Sequence, residues 1–330
     1  MPLRVLSFVA VILLVLSPAP TLAESRLGAS QLPTYVDDEG EPARLNNLVL
    51  EAFKRMGEPL TLEMMRPAFL GSAILSGKLD GDYASIDLNT QKSNMRYSKP
   101  YLPLYLYAVS KNDSVKEVAL IPHLQDRRVA IDNRFANTDT IRLIKDVKWG
   151  RNPSTYDAFK QLADNRAYYL VTSRLLIDEF NRLLRNENEE MVYLSARPLV
   201  TAGFRLALRE DVDNVDSRLQ QFNQTIEIMQ QDGSYNRLLG MTWLTKDING
   251  DGSADYISSA QVMHQALAPR VLEHALALDT TSADNSSVYV IDGTTYTTIE
   301  AAFEALQSAT VGARPSLLDT DIYERILQRW

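Results

Sequence analysis

The sequence predicts an α/β protein of two units, between which the chain passes twice, followed by a C-terminal extension of different character. Three observations point there. From Ser25 to about Leu244, short β-branched or apolar runs alternate with segments of helical periodicity. Two apolar stretches, near Tyr105 to Ser110 and near Ser195 to Phe204, stand where the chain would leave one unit and return to it. After Trp243 the alternation gives way to an acidic, glycine-containing loop and a polar linker.

The elements follow in order. Asn46 to Met56 places Leu48, Val49, Ala52, Phe53 and Met56 at helical spacing, and Gly57 supplies a stop. Leu60 to Met64 reads as a strand, Pro67 to Ser76 as a helix ended by Gly77, and Tyr83 to Leu88 as a second strand. The second unit opens near Arg127 with a strand, Arg128 to Ile131, and a helix from Thr138 to about Lys145. A helix at Tyr156 to Ala163, a strand at Ala167 to Val171 and a helix at Leu175 to Leu184 complete it. Leu206 to Leu208 returns to β character before a long helix, Ser217 to Gln231. In the extension, 259–278 reads as an amphipathic helix broken at Pro269, and Thr280 to Ser287 as a linker. Val288 to Ile291 and Thr294 to Thr298 flank Asp292-Gly293, a hairpin signal, and Ile299 to Ser308 reads as a short helix. No internal repeat of useful length is found.

The first 23 residues carry Arg4, an apolar run from Val5 to Leu16 and a stretch ending Thr21-Leu22-Ala23, which predicts a secretory leader cleaved after Ala23. The run is about a dozen residues long, short of the roughly 20 that span a bilayer, so the chain is expected in the periplasm and not embedded in a membrane. The sequence has no cysteine, which excludes disulfides, thiolate metal sites, cysteine nucleophiles and a lipidated cysteine. Net charge is −8, or −9 once Arg4 is removed with the leader, which argues against nucleic acid and anionic membrane as partners.

Five stretches carry a resemblance to a known family. They are Pro33-Thr34-Tyr35 with the acidic turn Asp37 to Gly40; Glu51 to Gly57; Ser76 to Gly81; Tyr97-Ser98-Lys99-Pro100-Tyr101; and Phe222-Asn223 through Met229 to Tyr235. In this order they resemble the family 3 periplasmic solute-binding proteins of ATP-driven importers, over roughly two thirds of the mature chain. The resemblance implies a two-lobed periplasmic-binding-protein fold of type II with a C-terminal extension. Lobe 1 would comprise 24–107 and 205–244, lobe 2 108–204, with a loop at 245–258 and the extension at 259–330. A cleft between lobes desolvates most of a small ligand, and its closure is a shape change that an inner-membrane permease can read.

The resemblance places an Arg for the ligand carboxylate within Asn89-Thr90-Gln91-Lys92, where none stands; Lys92 is the replacement, a point charge without the bidentate fork, or else a solvated surface lysine. It places an acidic partner for the ligand amine within Ala167 to Arg174, a stretch without a carboxylate. An ordinary α-amino acid is therefore a doubtful ligand, and the same absence weighs against the dehydratases that resemble this family. Tyr35 would present a flat face to the ligand or pack on the lobe 1 core. Thr138 and Thr140, at a helix N-terminus, offer hydroxyls and free N–H groups to an anion or simply cap the helix. Ser85 and Asp87 end a strand, where they could hydrogen-bond a polar solute or be solvated.

The sharpest motif lies in the extension. Asp247, Asn249, Asp251, Ser253 and Asp255, with Gly252 at the sixth position of the loop, resemble the calcium loops of EF-hand and dockerin proteins. Ser258 stands at position 12, where a bidentate carboxylate is expected, so Ca²⁺ would bind modestly and structurally, or the stretch is a plain Asp- and Gly-rich turn. His123, His264 and His274 are too scattered for a metal triad and are expected at the surface. No phosphate loop, nucleophile elbow or zinc motif is present. The expectation is a non-enzymatic protein that binds a small polar solute, amino-acid-like or an organic acid, for ABC-type import. A sensor or partner-docking protein is the alternative, with a dehydratase or murein-cleaving enzyme behind it.

Overall fold

A computed structural model describes residues 24–37, 39–318 and 322–330; the expected leader lies outside the described residues. Lobe 1 opens with β1 (Ser25–Ala29), α1 (Arg44–Met56), β2 (Leu60–Met64), α2 (Pro67–Leu75), β3 (Gly81–Ile86) and β4 (Met95–Tyr97). The helical spacing read from the sequence puts Leu45, Leu48, Val49, Ala52 and Phe53 on the buried face of α1. β1 lies parallel between β2 and β3, so helices must carry the chain back between strands. Gly81 is required by close packing: a Cβ there would stand 1.9 Å from the Ala207 carbonyl oxygen.

The first crossing is β5 (Leu102–Ser110). Lobe 2 then runs β6 (Arg128–Asp132), α3 (Asn133–Ala136), α4 (Asp139–Arg142), β7 (Lys148–Asn152), α5 (Thr155–Ala163), β8 (Tyr169–Ser173), α6 (Arg174–Asn186) and β9 (Tyr193–Leu194). The second crossing, β10 (Val200–Arg209), pairs antiparallel with β5, Val200 opposite Leu106 and Phe204 opposite Leu102. The far half of β5 pairs with β8, and the far half of β10 with β3 and β4. One sheet therefore runs through both lobes in the order β2-β1-β3-β10-β5-β8-β6-β7, with β4 beside β10 and β9 beside β5. The expected helix from Thr138 to about Lys145 is a single turn, α4, with Thr138 at its N-cap and Leu143 at its C-cap; a separate turn, α3, precedes it.

Lobe 1 is closed by α7 (Val215–Gln231) and α8 (Ser234–Leu239). Phe222 of α7 sits edge-on to Tyr101 and tilted against Phe53, joining the closing helix to α1. A second, five-stranded sheet follows, made of β11 (Leu244–Lys246), β12 (Asp255–Ser258), β13 (Leu276–Ala277), β14 (Tyr289–Ile291) and β15 (Thr294–Tyr296), with α9 (Ile299–Ala305) against it. The expected hairpin is present: Asp292 and Gly293 both have positive φ, 47° and 84°, the handedness a two-residue β-turn needs. The expected helix over 259–278 is not. The stretch holds a 3₁₀ turn at Pro269–His274 and the short strand β13, since Pro269 interrupts it and its apolar side chains pack separately around Trp243. His264, expected at the surface, is fully buried with Nε2 at 3.0 Å from the Ser259 carbonyl. A C-terminal helical segment, α10 (Ile322–Arg329), with positive φ along its length, lays Tyr323, Ile326 and Leu327 on the lobe 2 core beside Phe159 and Phe180.

Candidate functional site

Parallel strands leave polar groups unpaired at their C-terminal ends, and the two lobes turn those ends toward each other. Lobe 1 presents Ser30, Gln31 and Tyr35 after β1 and Leu88 to Thr90 after β3; lobe 2 presents α3 and α4 after β6, and Ser173 at the end of β8. These groups meet directly. The Tyr35 hydroxyl donates to Ser173 Oγ at 3.0 Å, both side chains being buried. Arg134 Nη2 donates to the carbonyls of Ser30 and Gln31 at 2.6 and 2.8 Å. The Thr90 amide donates to Asp139 Oδ2 at 2.8 Å, and the Asp139 amide to Asn89 Oδ1 at 3.2 Å. Both the amide and the hydroxyl of Thr140 donate to the Leu88 carbonyl.

The electrostatics follow from this closure. Asp82 on β3 has its carboxyl pushed up to about 6, because desolvation outweighs the Ala84 amide and the charges of Arg134 and Lys92. Burial also lowers the Arg134 guanidinium, against the pull of Asp132 and Asp82. The Asp139 carboxyl is held down by the amide it accepts from Thr90. Burial raises the Tyr35 phenol to about 12, so it remains a hydrogen-bond donor at neutral pH.

A second bridge lies beside the first. Glu179 of α6 is 1% exposed and accepts Arg44 Nη2, from lobe 1, at 2.5 Å. Arg44 also holds the Leu239 carbonyl and Thr34 Oγ1. The chain beyond α9 returns to the same carboxylate: Arg314 donates to both Glu179 oxygens, at 2.5 and 3.0 Å, and the Leu317 amide donates to Oε2 at 2.8 Å. Burial raises the Glu179 pKa, but Arg314 and Arg44 together overcome it and hold the group at about 2.

Of the residues singled out in the sequence, Tyr35 and Thr140 lie at the lobe junction. Thr138 is buried with its hydroxyl donating to the Phe135 carbonyl, turned into lobe 2. Asp87 accepts the Gly203 amide at 2.7 Å and pairs with Arg205 at 3.0 Å, fastening β3 to the second crossing. Ser85 stands opposite Arg205 in the same ladder. Lys92 is exposed and, with Gln91, Ser93, Arg96, Tyr97 and Arg205, lines an open depression of about 450 Å³. Arg134, Asp139, Ser173 and Glu179 were missed. Ser173 ends β8 and caps α6, and the other three stand on helices, so only pairing across the lobes distinguishes each from an ordinary surface charge or cap.

The acidic loop joins β11 to β12 and is closed by its own amides. Asp247 accepts the Gly250 and Gly252 amides, Asn249 the Asp251 amide, and Asp251 the Ser253 amide. Asp255 is fully buried and accepts the amides of Ile248 and Val288. Ser253 Oγ donates to Asp284. Among the described residues no three His, Cys, Asp or Glu side chains converge as a metal ion would need, and no helix is long and apolar enough to cross a membrane.

No family model matches the chain, and no curated protein matches it. Solved structures do. The ligand-binding core of GluR0 in complex with L-glutamate superposes with a TM-score of 0.55 at 10% identity, over 66% of this chain and 97% of that one. An arginine transport-system periplasmic binding protein from Legionella pneumophila gives 0.53 at 15% identity, over 66% and 98%. The VFT2 domain of BvgS from Bordetella pertussis, as a double mutant, gives 0.52 at 16% identity, over 66% and 91%. Likeness at such identities lies in the architecture: two α/β lobes, two antiparallel crossings and a junction of strand ends give this chain the two-lobed fold of the periplasmic binding proteins.

Proposed function

We propose that the chain binds a small polar solute between its lobes, without chemical conversion, and acts in the periplasm beside an inner-membrane permease. One observation carries this: the facing strand ends offer backbone carbonyls at Ser30, Gln31 and Leu88 and an amide at Thr90 that the sheet does not use and that side chains of the opposite lobe hold, arranged across a two-stranded hinge. Such a set recognises a solute bearing both a donor group and an oxyanion. The similar structures whose names mention L-glutamate and arginine support an amino-acid-like solute or organic acid. Lys92, exposed beside the junction, would supply charge to a carboxylate. In the acidic loop Asp247 and Asp255 already accept amides of the chain, so a calcium ion there would bind weakly, in a structural and not a solute-binding role.

The test is calorimetric titration of refolded, dialysed protein with amino acids, organic acids and polyamines. Saturable binding to one class, lost when the lobe junction is blocked by a Ser173→Trp substitution, supports the proposal; no binding by any class sinks it. A sensor or docking role is the second possibility, favoured by the return of the extension to Glu179, which ties the appended unit to both lobes.

A further inference from the structure

We infer that this chain closes its cleft by itself, and that the segment Arg314 to Leu317 is the strap that keeps it closed. The inference rests on the solute-binding proposal for what the opened cleft would admit, but not for the closure.

The cleft groups that a solute would take are filled by lobe 2. A cation, Arg134, sits on the Ser30 and Gln31 carbonyls, and an anion, Asp139, on the Thr90 amide. Thr140 takes the Leu88 carbonyl and Tyr35 is bonded to Ser173, so each main contact between strand ends is protein on protein. A solute must displace these groups, and its apparent affinity is lowered by the fraction of molecules that are open.

The strap adds to this from outside the cleft. Arg314 Nε donates to the Gly240 carbonyl, at the end of the lobe 1 helix α8, at 3.1 Å, while its two terminal nitrogens hold Glu179 of lobe 2. Leu317 approaches Gly240 from the same side, and Ser316 Oγ donates to the Glu179 carbonyl at 3.0 Å. Opening the lobes therefore requires Arg314 to release either Gly240 or Glu179. The strap is also releasable. Arg44, Arg182 and Arg314 all face one carboxylate, and the charge of Arg314 disfavours that of Arg182, whose Nε is buried without a hydrogen-bond partner. With Arg314 gone, Glu179 keeps Arg44 as its counter-ion, so the lobe core is not left with an unpaired charge.

Amide hydrogen exchange on the full chain, unfolded and refolded to strip small molecules, tests this. The Thr90 and Thr140 amides, both donated across the lobes, are expected to be protected without solute, and Arg314→Ala to speed their exchange about tenfold while amides of Val49 and Val171 in the lobe cores are unchanged. Ser316→Ala, a milder change, is expected to move the same two amides in the same direction. Rapid exchange at Thr90 and Thr140 in the stripped wild-type protein, slowed only by added solute, overturns self-closure. Unchanged exchange at both amides in both variants overturns the strap. Failure of the solute-binding proposal reads differently: no amino acid, organic acid or polyamine binds Arg314→Ala, although its cleft amides exchange rapidly.

Discussion

Arg44 and Glu179 meet across the two lobes at 2.5 Å with both side chains 1% exposed. A buried ion pair contributes little net stability against an apolar pair of the same shape, but it is costly to halve, since the remaining charge has neither water nor partner. The pair thus favours the closed arrangement of the lobes from within, as Arg314 does from outside.

Glu179→Ala should lower stability by about 3–5 kcal/mol, measured by urea unfolding, because it strands Arg44 and Arg314 together. The folded-state pKa of Glu179 is depressed from 4.5 to about 2. Its contribution is therefore complete above pH 4.5 and is lost as pH falls toward about 2, and the variant should lack that part of the acid transition. Equal acid sensitivity of both proteins would remove Glu179 from the role of hub.

Asp82 behaves with the opposite sign. Its folded pKa is raised from 3.8 to about 6, so its contribution is present below pH 3.8 and is lost as pH rises through about 6. Asp82→Asn should stabilise the protein at pH 7 by about 1–2 kcal/mol and flatten the stability profile between pH 4 and 6. Thermal melts across that range decide it; an unaltered slope would mean that the carboxyl is not desolvated.

Lys92 and Asp87 separate binding from folding. Lys92→Ala should weaken a carboxylate solute about tenfold, near 1.4 kcal/mol, and leave the melting temperature unchanged. Asp87→Ala should cost about 1–3 kcal/mol of stability, because it strips partners from the Gly203 amide and from Arg205. A solute indifferent to Lys92→Ala excludes that lysine from the site.

Calcium should move the melting temperature little against a chelator, because Asp247 and Asp255 already accept loop amides and Ser258 supplies no bidentate carboxylate. A rise that saturates with calcium and is abolished by Asp251→Ala would mean that the loop rearranges to hold the ion.

The α/β architecture was legible in the chain because its signals are local. Helical spacing in Asn46 to Met56, the apolar run of the first crossing and the Asp292-Gly293 turn each depend on a few neighbouring residues and stand where they were expected, while the second crossing, expected near Ser195 to Phe204, runs from Val200 to Arg209 and takes in the expected separate stretch at Leu206 to Leu208. The helix expected over 259–278 failed because its apolar residues serve different walls of the small core around Trp243, not one helical face. At the junction, the family resemblance marked Tyr35 and a helix N-terminus after a strand marked Thr140, but nothing in the sequence pairs Tyr35 with Ser173, 138 residues away, or Arg44 with Glu179, 135 residues away. The sequence by itself determined the two units, their double connection and the polar ends of their strands, since these follow from periodicity and turn chemistry. Only the tertiary structure decided that those ends satisfy one another and that Arg314 returns to Glu179, because a desolvated charge selects its partner by proximity in space, and proximity in space is set by the whole fold.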